Sequence, residues 1–392
     1  MLVNKSLRGT AASDHLDMVR GVAAIAVTLA HLRQGFFVDP KNIRGPSNLL
    51  IKIVYFVTAF GHYSVMIFFV LSGYLVGRIV LRGRMDGDFS WSDYATNRLT
   101  RLWIVLIPAL IIGAIWDHIG IHLFGTSGIY GGLATNHSDA VPPHLSAGVM
   151  LGNAFFMQGI GTLTFGSNGP LWSLSYEFWY YVLFPLMVLA FPLGKAGWTS
   201  VLYGAAACVV ALFIAQPMRA YFLIWLLGAT INLAPEERGK PGYLWVAAAV
   251  GSAVLVVAAL NFKTDLNACG DFAVGAAAAV LIFAILRSSA RSRSGFYSRA
   301  ARGLAGFSYT LYLVHAPLMV FVSAWLVPPQ MWQPNGSHVA IGAALAIVTF
   351  AYALLIARFT EWRTDAMRRR VADALGHRAS SHGPLHSSPH DG

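Results

Sequence analysis

The sequence predicts an all-α protein, a polytopic transmembrane helix bundle of about ten spans with both termini cytoplasmic. Three observations carry this reading: an apolar composition, a series of long apolar runs, and an uneven distribution of cations. Of the 392 residues, 56% are hydrophobic and only 11% charged, whereas a soluble domain has about 25% charged residues. Too little polar surface is left to face water all round. Crossing a hydrocarbon core of about 30 Å takes roughly 20 apolar residues per helix. Ten segments meet that need: 16–37, 58–81, 99–120, 170–192, 197–215, 218–234, 243–261, 269–287, 305–327 and 338–359.

The charges orient these spans. Seventeen acidic residues against twenty-eight basic ones leave a net charge of +11, and the cations cluster in short stretches between apolar runs. With both termini inside, the cytoplasmic segments hold 22 of the 28 Lys and Arg, including Arg78, Arg82, Arg84, Arg98 and Arg101 between spans two and three. The opposite side holds six: Arg33, Lys41, Arg44, Lys52, Arg219 and Lys263. This bias is the positive-inside pattern. A basic stripe interleaved with stacking aromatics is missing, so nucleic acid is not an expected partner.

The connections divide the chain into a cytoplasmic N-terminal segment (1–14), a transmembrane domain (15–360) and a cytoplasmic tail (361–392), disordered from about 376. The first span ends in His31-Leu32-Arg33 with no small-residue cleavage pattern, and so reads as a retained helix. The loop 121–169 has no Lys or Arg and is rich in Gly, Ser and His; within it, 146–158 is apolar but too short to span. Four histidines in the tail suggest at most weak metal binding. Cys208 and Cys269 have no metal-ligand spacing and do not suggest a disulfide framework.

Ionisable side chains inside a bilayer are costly and mark a site by default. In the first span Arg20 and His31 are eleven residues apart. They therefore fall within about 20° of one helix face, about 16 Å apart along the axis. Asp17, three residues before Arg20, is spaced to pair with it. The bland alternative is an Arg20 that snorkels to headgroups and a His31 that serves as an interhelical hydrogen-bonder. Span four carries Glu177 in Trp172-Ser173-Leu174-Ser175-Tyr176-Glu177, and span nine carries Tyr309 and His315 in Ser308-Tyr309-Thr310-Leu311-Tyr312-Leu313-Val314-His315. Ser72-Gly73 in span two reads as a close helix contact. Asp117, His118 and His122 end span three, with the histidines at i, i+4, but nothing nearby completes a metal site, and no metal is predicted. No glycine-rich phosphate loop, GxSxG elbow or HExxH is present.

These segments resemble, in order, the motifs of the acyltransferase-3 family of integral membrane O-acyltransferases. LDMVRGVAAIAVTLAH resembles its first span, IFFVLSGYLVGR its second, RLTRLWIVLIPAL its third, GPLWSLSYEFWYYVLFP its fourth and FSYTLYLVHAPL its ninth. The resemblance covers residues 16–327. Two departures are visible: Glu177 is followed by Phe178 where many members have a second Glu, and Pro108 comes later after the arginines than usual. The resemblance implies a multi-pass protein of the bacterial inner membrane. Its reaction would move an acyl group, usually acetyl from acetyl-CoA, onto a hydroxyl of a carbohydrate or glycosylated acceptor such as a surface polysaccharide.

The family's essential Arg and His fall on Arg20 and His31, and its third-span arginines on Arg98 and Arg101. Arg20, Arg98 and Arg101 would bind the CoA phosphates, for which guanidinium groups are suited. His31 would act as general base, with Glu177 or Asp17 orienting it or binding the acceptor. His315, Tyr309 and Trp172 are the expected acceptor contacts. The expected partners are the lipid bilayer, acyl-CoA, the carbohydrate acceptor and enzymes of polysaccharide synthesis. Intramembrane Glu, His and Arg also build proton-coupled secondary transporters, and an acyl translocator serving a partner enzyme is a third possibility.

Overall fold

The computed structural model describes residues 10–46, 48–126, 128–132, 140–192, 197–234, 246–248, 250, 251, 254, 268–287, 295–327 and 330–374. The order of helices is α1 (Ala11–Phe36), α2 (Leu49–Val57), α3 (Gly61–Asp86), α4 (Trp91–Phe124), α5 (Ala147–Ala154), α6 (Trp172–Ala190), α7 (Trp198–Phe213), α8 (Gln216–Thr230), α9 (Ala268–Arg287), α10 (Phe296–Ala305), α11 (Ser308–Leu326), α12 (Gly336–Phe359) and α13 (Thr364–Ala374). Among the described residues there is no strand, only isolated bridges at Phe37–Trp332 and Gln158–Thr162.

Among the described residues, six helical stretches are long and apolar enough to cross a membrane: Ala11–Phe36, Leu49–Asp86, Trp91–Phe124, Cys269–Arg287, Ser308–Leu326 and Gly336–Ala374. Helices α6, α7 and α8 coincide with expected spans four to six but fall short. Helices of 16 and 15 residues reach only about 24 and 22 Å at 1.5 Å per residue, and Ser173, Ser175 and Glu177 lower the hydropathy of α6. Most of the expected seventh span, 243–261, lies outside the described residues, as do residues 1–9 and the histidine-rich tail from 375. Helix α1 already begins at Ala11 within the expected N-terminal segment. The tail opens with α13, which packs against α4.

Local chemistry sets the helix ends. Thr10 Oγ1 accepts from Ser13 N (3.3 Å) at the start of α1, Ser90 Oγ from Asp93 N (3.2 Å) at α4, and Asn335 Oδ1 from His338 N (2.8 Å) at α12. Each satisfies an amide that the helix leaves unpaired. Helix α3 ends on Gly87 at φ 75°, the left-handed conformation glycine tolerates best.

Helix α3 is central, packing on α1, α6, α8 and α9, while α11 packs on α1, α4 and α12. Gly73 of α3 and Gly228 of α8 bring two backbones together. A Cβ at Gly73 would collide with Trp225 O, and one at Gly228 with Val70 O. The close approach expected at Ser72-Gly73 is therefore present, by the small-residue device of membrane helices.

Among the described residues, three prolines lie inside helices: Pro108, Pro185 and Pro317. Each lacks an N–H and deprives the carbonyl four residues earlier of its usual donor. For Pro185 that carbonyl is Tyr181 O, and the Tyr94 hydroxyl donates to it at 2.9 Å. For Pro317 it is Leu313 O, which receives Asn168 Nδ2 at 2.8 Å. A side chain from elsewhere thus repairs both breaks.

Candidate active site

A cavity of about 120 Å³ opens between α1, α3, α4, α6 and α11, room for several water molecules or a slender polar chain. Its polar lining comprises Ser13, Asp17 and Arg20 of α1, Ser72 of α3, Arg98 and Arg101 of α4, Ser173, Glu177 and Tyr181 of α6, and Ser308, Tyr309 and Tyr312 of α11. Six of the sequence-derived site residues therefore share one chamber: Asp17, Arg20, Arg98, Arg101, Glu177 and Tyr309.

The first turns of α1 create the cationic end. Asp17 Oδ1 lies 3.6 Å from Arg20 Nη2, the pairing expected at i, i+3. Arg20 Nη2 also donates to Ala305 O at 2.9 Å, which fixes the guanidinium to the end of α10. Gly21 admits this approach, since a Cβ there would meet Leu304 Cβ. Arg98 is only 6% exposed, and its guanidinium carbon lies 5.6 Å from the Tyr181 ring centre and 5.9 Å from that of Tyr94. Such cation–π contacts hold a guanidinium in place without neutralising it.

Three polar atoms of this chamber, Asp17 Oδ2, Arg20 Nε and Arg98 Nε, are buried with no hydrogen-bond partner among the described residues. Buried polar groups are nearly always paired, so this end has unused capacity for a ligand.

Glu177 is held from two helices. Ser72 Oγ donates to its Oε1 at 3.1 Å, and the Tyr181 hydroxyl donates to the same oxygen in a very short contact. Trp225 Nε1 in turn donates to Ser72 Oγ at 3.2 Å. Ser72 thus has a second task beyond close packing.

His31 and His315 meet deeper in the bundle. His31 Nδ1 and His315 Nε2 are 2.8 Å apart, and His315 Nδ1 donates to Leu311 O at 2.9 Å. His31 is half-buried and His315 fully enclosed. Tyr312 joins this pair to the cavity: it lines the chamber, and its ring centre is 6.2 Å from that of His315. Its hydroxyl shares a hydrogen bond with Ser173 Oγ at 2.6 Å.

Other expectations separate from this site. Trp172 stands in an aromatic cluster with Phe69, Tyr176 and Tyr221, outside the residues that line the chamber. Asp117 turns inward and accepts from Ser167 N (2.8 Å) and Ser167 Oγ (2.6 Å), while His118 Nδ1 donates to Ala114 O (2.7 Å). Asp117 thereby pins the loop leading to Asn168 and α6. The apolar stretch 146–158 contains the short α5 and then a tight turn. The carbonyl of Phe156 in that turn accepts from Ser175 Oγ and Trp179 Nε1.

Sequence reasoning missed Tyr181, Tyr312 and Glu361. Glu361 follows α12, yet its Oε2 accepts from Thr310 N (2.9 Å) and Thr310 Oγ1 (3.0 Å), capping α11. It is also close enough to Arg20 and Arg101 for their charges to interact.

Comparison with known proteins identifies the family. The acyltransferase domain of the acyltransferase-3 family matches residues 14–358, a range containing every residue of the chamber except Ser13. An acyltransferase named MdmB, from Streptomyces mycarofaciens, is 24% identical over 375 residues, spanning 87% of each chain. No solved structure matches the chain. A match over nearly the whole helical domain, with apolar helices enclosing one charged chamber, shows that the chain belongs to the acyltransferase-3 family and is a membrane acyltransferase.

Proposed function

We propose that the chain transfers an acyl group, acetyl in the first instance, from acyl-CoA to a hydroxyl of a carbohydrate or glycosylated acceptor. Arg20, Arg98 and Arg101 bind the donor phosphates, and His31 is the general base. The observation that carries this reading is the charged chamber itself. Three guanidiniums line one cavity, with two of their buried Nε atoms unpartnered among the described residues, and Tyr312 links that cavity to an imidazole pair. Guanidinium forks suit phosphate oxygens, and a neutral imidazole suits proton removal near pH 7.

The chemistry balances without a metal. The acceptor oxygen attacks the thioester carbonyl carbon and its proton passes to His31. The carbon–sulfur bond breaks, and the CoA sulfur leaves with that proton. Glu177, held by Ser72 and Tyr181 in the chamber wall, orients the acceptor hydroxyl, and Tyr309 and Tyr312 frame it. The positive-inside bias puts the arginine end in the cytoplasm, where CoA is found. The protein then works as a multi-pass enzyme of the bacterial inner membrane, alongside enzymes that build the glycan.

The test uses purified full-length protein in nanodiscs supplied with acetyl-CoA and a panel of surface-glycan fragments. Mass spectrometry should find one acceptor gaining one acetyl group per CoA released. CoA release with no acylated hydroxyl on any acceptor, or uptake of a solute into liposomes without CoA consumption, would overturn the reading.

A further inference from the structure

We propose that His315 is a positioning residue that fixes the tautomer of His31 and so leaves the reactive lone pair on His31 Nε2. This rests on the reading of His31 as the base, and it moves His315 from acceptor binding to the support of that base.

The deduction starts at the backbone. His315 Nδ1 lies 2.9 Å from Leu311 O, and a carbonyl oxygen only accepts, so Nδ1 carries the hydrogen. His315 is 0% exposed, and an enclosed imidazole in an apolar helix is favoured in its neutral form. Its Nε2 is therefore a lone pair. That lone pair faces His31 Nδ1 at 2.8 Å, which makes His31 Nδ1 the donor. A neutral imidazole carries one hydrogen, so His31 Nε2 holds the lone pair.

The ring geometry supports the same assignment. The two planes are tilted by only 9°, with centroids 5.1 Å apart. That separation equals the nitrogen-to-nitrogen distance plus the two ring radii, so the rings meet end-on in nearly one plane. A linear N–H···N bond has this form, whereas face-to-face stacking does not. The supporting helix is also braced: Pro317 leaves Leu313 O without its helical donor, and Asn168 Nδ2 supplies one at 2.8 Å. His315 sits between those two positions, and the carbonyls of Leu311 and Leu313 beside it both have donors.

In the reaction, the acceptor O–H proton moves to His31 Nε2 as the new carbon–oxygen bond forms. His31 is then an imidazolium whose Nδ1–H continues to donate into His315 Nε2, which spreads the charge. The departing CoA sulfur removes the Nε2 proton, and His31 returns to its starting tautomer. His315 gains and loses no proton overall.

The test combines ¹⁵N spectroscopy of histidine-labelled protein in nanodiscs with kinetics of two His315 variants. In the unaltered protein, His31 should have a protonated Nδ1 and an unprotonated Nε2. His315→Gln puts an amide oxygen where Nε2 stood and still accepts; it should keep that tautomer and retain kcat within about tenfold. His315→Leu fills the space without an acceptor; it should shift His31 toward the Nε2–H form and lower kcat by on the order of 10²–10⁴. The donor KM should change by less than about threefold, because the arginine end is untouched.

A His31 that carries its hydrogen on Nε2 in the unaltered protein would overturn the proposal. So would a Gln variant no better than Leu, or a Leu variant with full kcat. Undiminished transfer by His31→Ala would instead refute the base assignment, while the ¹⁵N result would still decide the tautomer.

Discussion

The cationic chamber and the histidine pair are neighbours, with Tyr312 of the chamber and His315 of the pair about one turn apart on α11, yet they are built in opposite ways. In the chamber, Arg20 Nε and Arg98 Nε are buried donors without hydrogen-bond partners among the described residues, and cations lie close enough to repel, as Arg20 and Arg101 do. At the pair, His315 is enclosed, both its ring nitrogens are engaged, and its helix is repaired from outside by Asn168. Unmet donors and mutual repulsion disfavour an empty site, which is the ground for proposing a polyanionic donor in this chamber. A satisfied, braced pair gains nothing from a ligand but holds an imidazole in one orientation. In the proposed reaction, binding and proton transfer fall to two neighbouring structures with different demands.

Substitutions that strike one region and spare the other test this division. The largest effect is expected from His31→Ala, with kcat lowered by about 10²–10⁴ and CoA affinity unchanged; single-turnover kinetics and equilibrium binding separate the two. Next, Arg101→Ala should raise the donor KM by about 10- to 100-fold, the range for losing a charged hydrogen bond of about 1.5–3 kcal/mol, with a smaller change in kcat. Asn168→Leu leaves Leu313 O buried without its side-chain donor. It should lower stability by about 1–3 kcal/mol, read as a lower melting temperature in nanodiscs, and reduce kcat more than donor affinity. The smallest effect belongs to Ser72→Ala, where Tyr181 still holds Glu177; a loss of about 1 kcal/mol at most is expected, seen as a few-fold change in acceptor KM. An Asn168 variant that weakens CoA binding while sparing kcat would reverse the assignment.

The sequence exposes this organisation unevenly. Arg20 and His31 are legible because they share one helix, where a fixed 100° per residue places both on one face. Asp17 is legible for the same reason, and the structure pairs it with Arg20. Partners from other helices are not, because nothing in a linear spacing reports which helices touch. Tyr181 lies unmarked among the aromatics of the fourth span, and Glu361 lies 51 residues beyond Thr310, whose amide it caps. His315 was visible as a polar residue in an apolar run, but its role depends on which nitrogen faces Leu311 O and which faces His31. Hydropathy likewise outlined the long helices, while α7 and α8, of 16 and 15 residues, are shorter than the apolar runs read from the sequence there. The donors that mend the breaks at Pro185 and Pro317, Tyr94 and Asn168, come from 91 and 149 residues away in the chain, a distance no local pattern reports.

The most direct test of the central claim is equilibrium binding of CoA to the full-length protein, His31→Ala and Arg101→Ala in identical nanodiscs, with acyl transfer measured on the same samples. The account predicts that His31→Ala binds CoA as tightly as the unaltered protein while transferring acyl groups at least about a hundredfold more slowly. Arg101→Ala should bind about 10- to 100-fold more weakly yet recover most of its rate at saturating donor. A His31→Ala protein that loses CoA binding together with transfer, or an Arg101→Ala protein that binds normally, would contradict the division between chamber and pair.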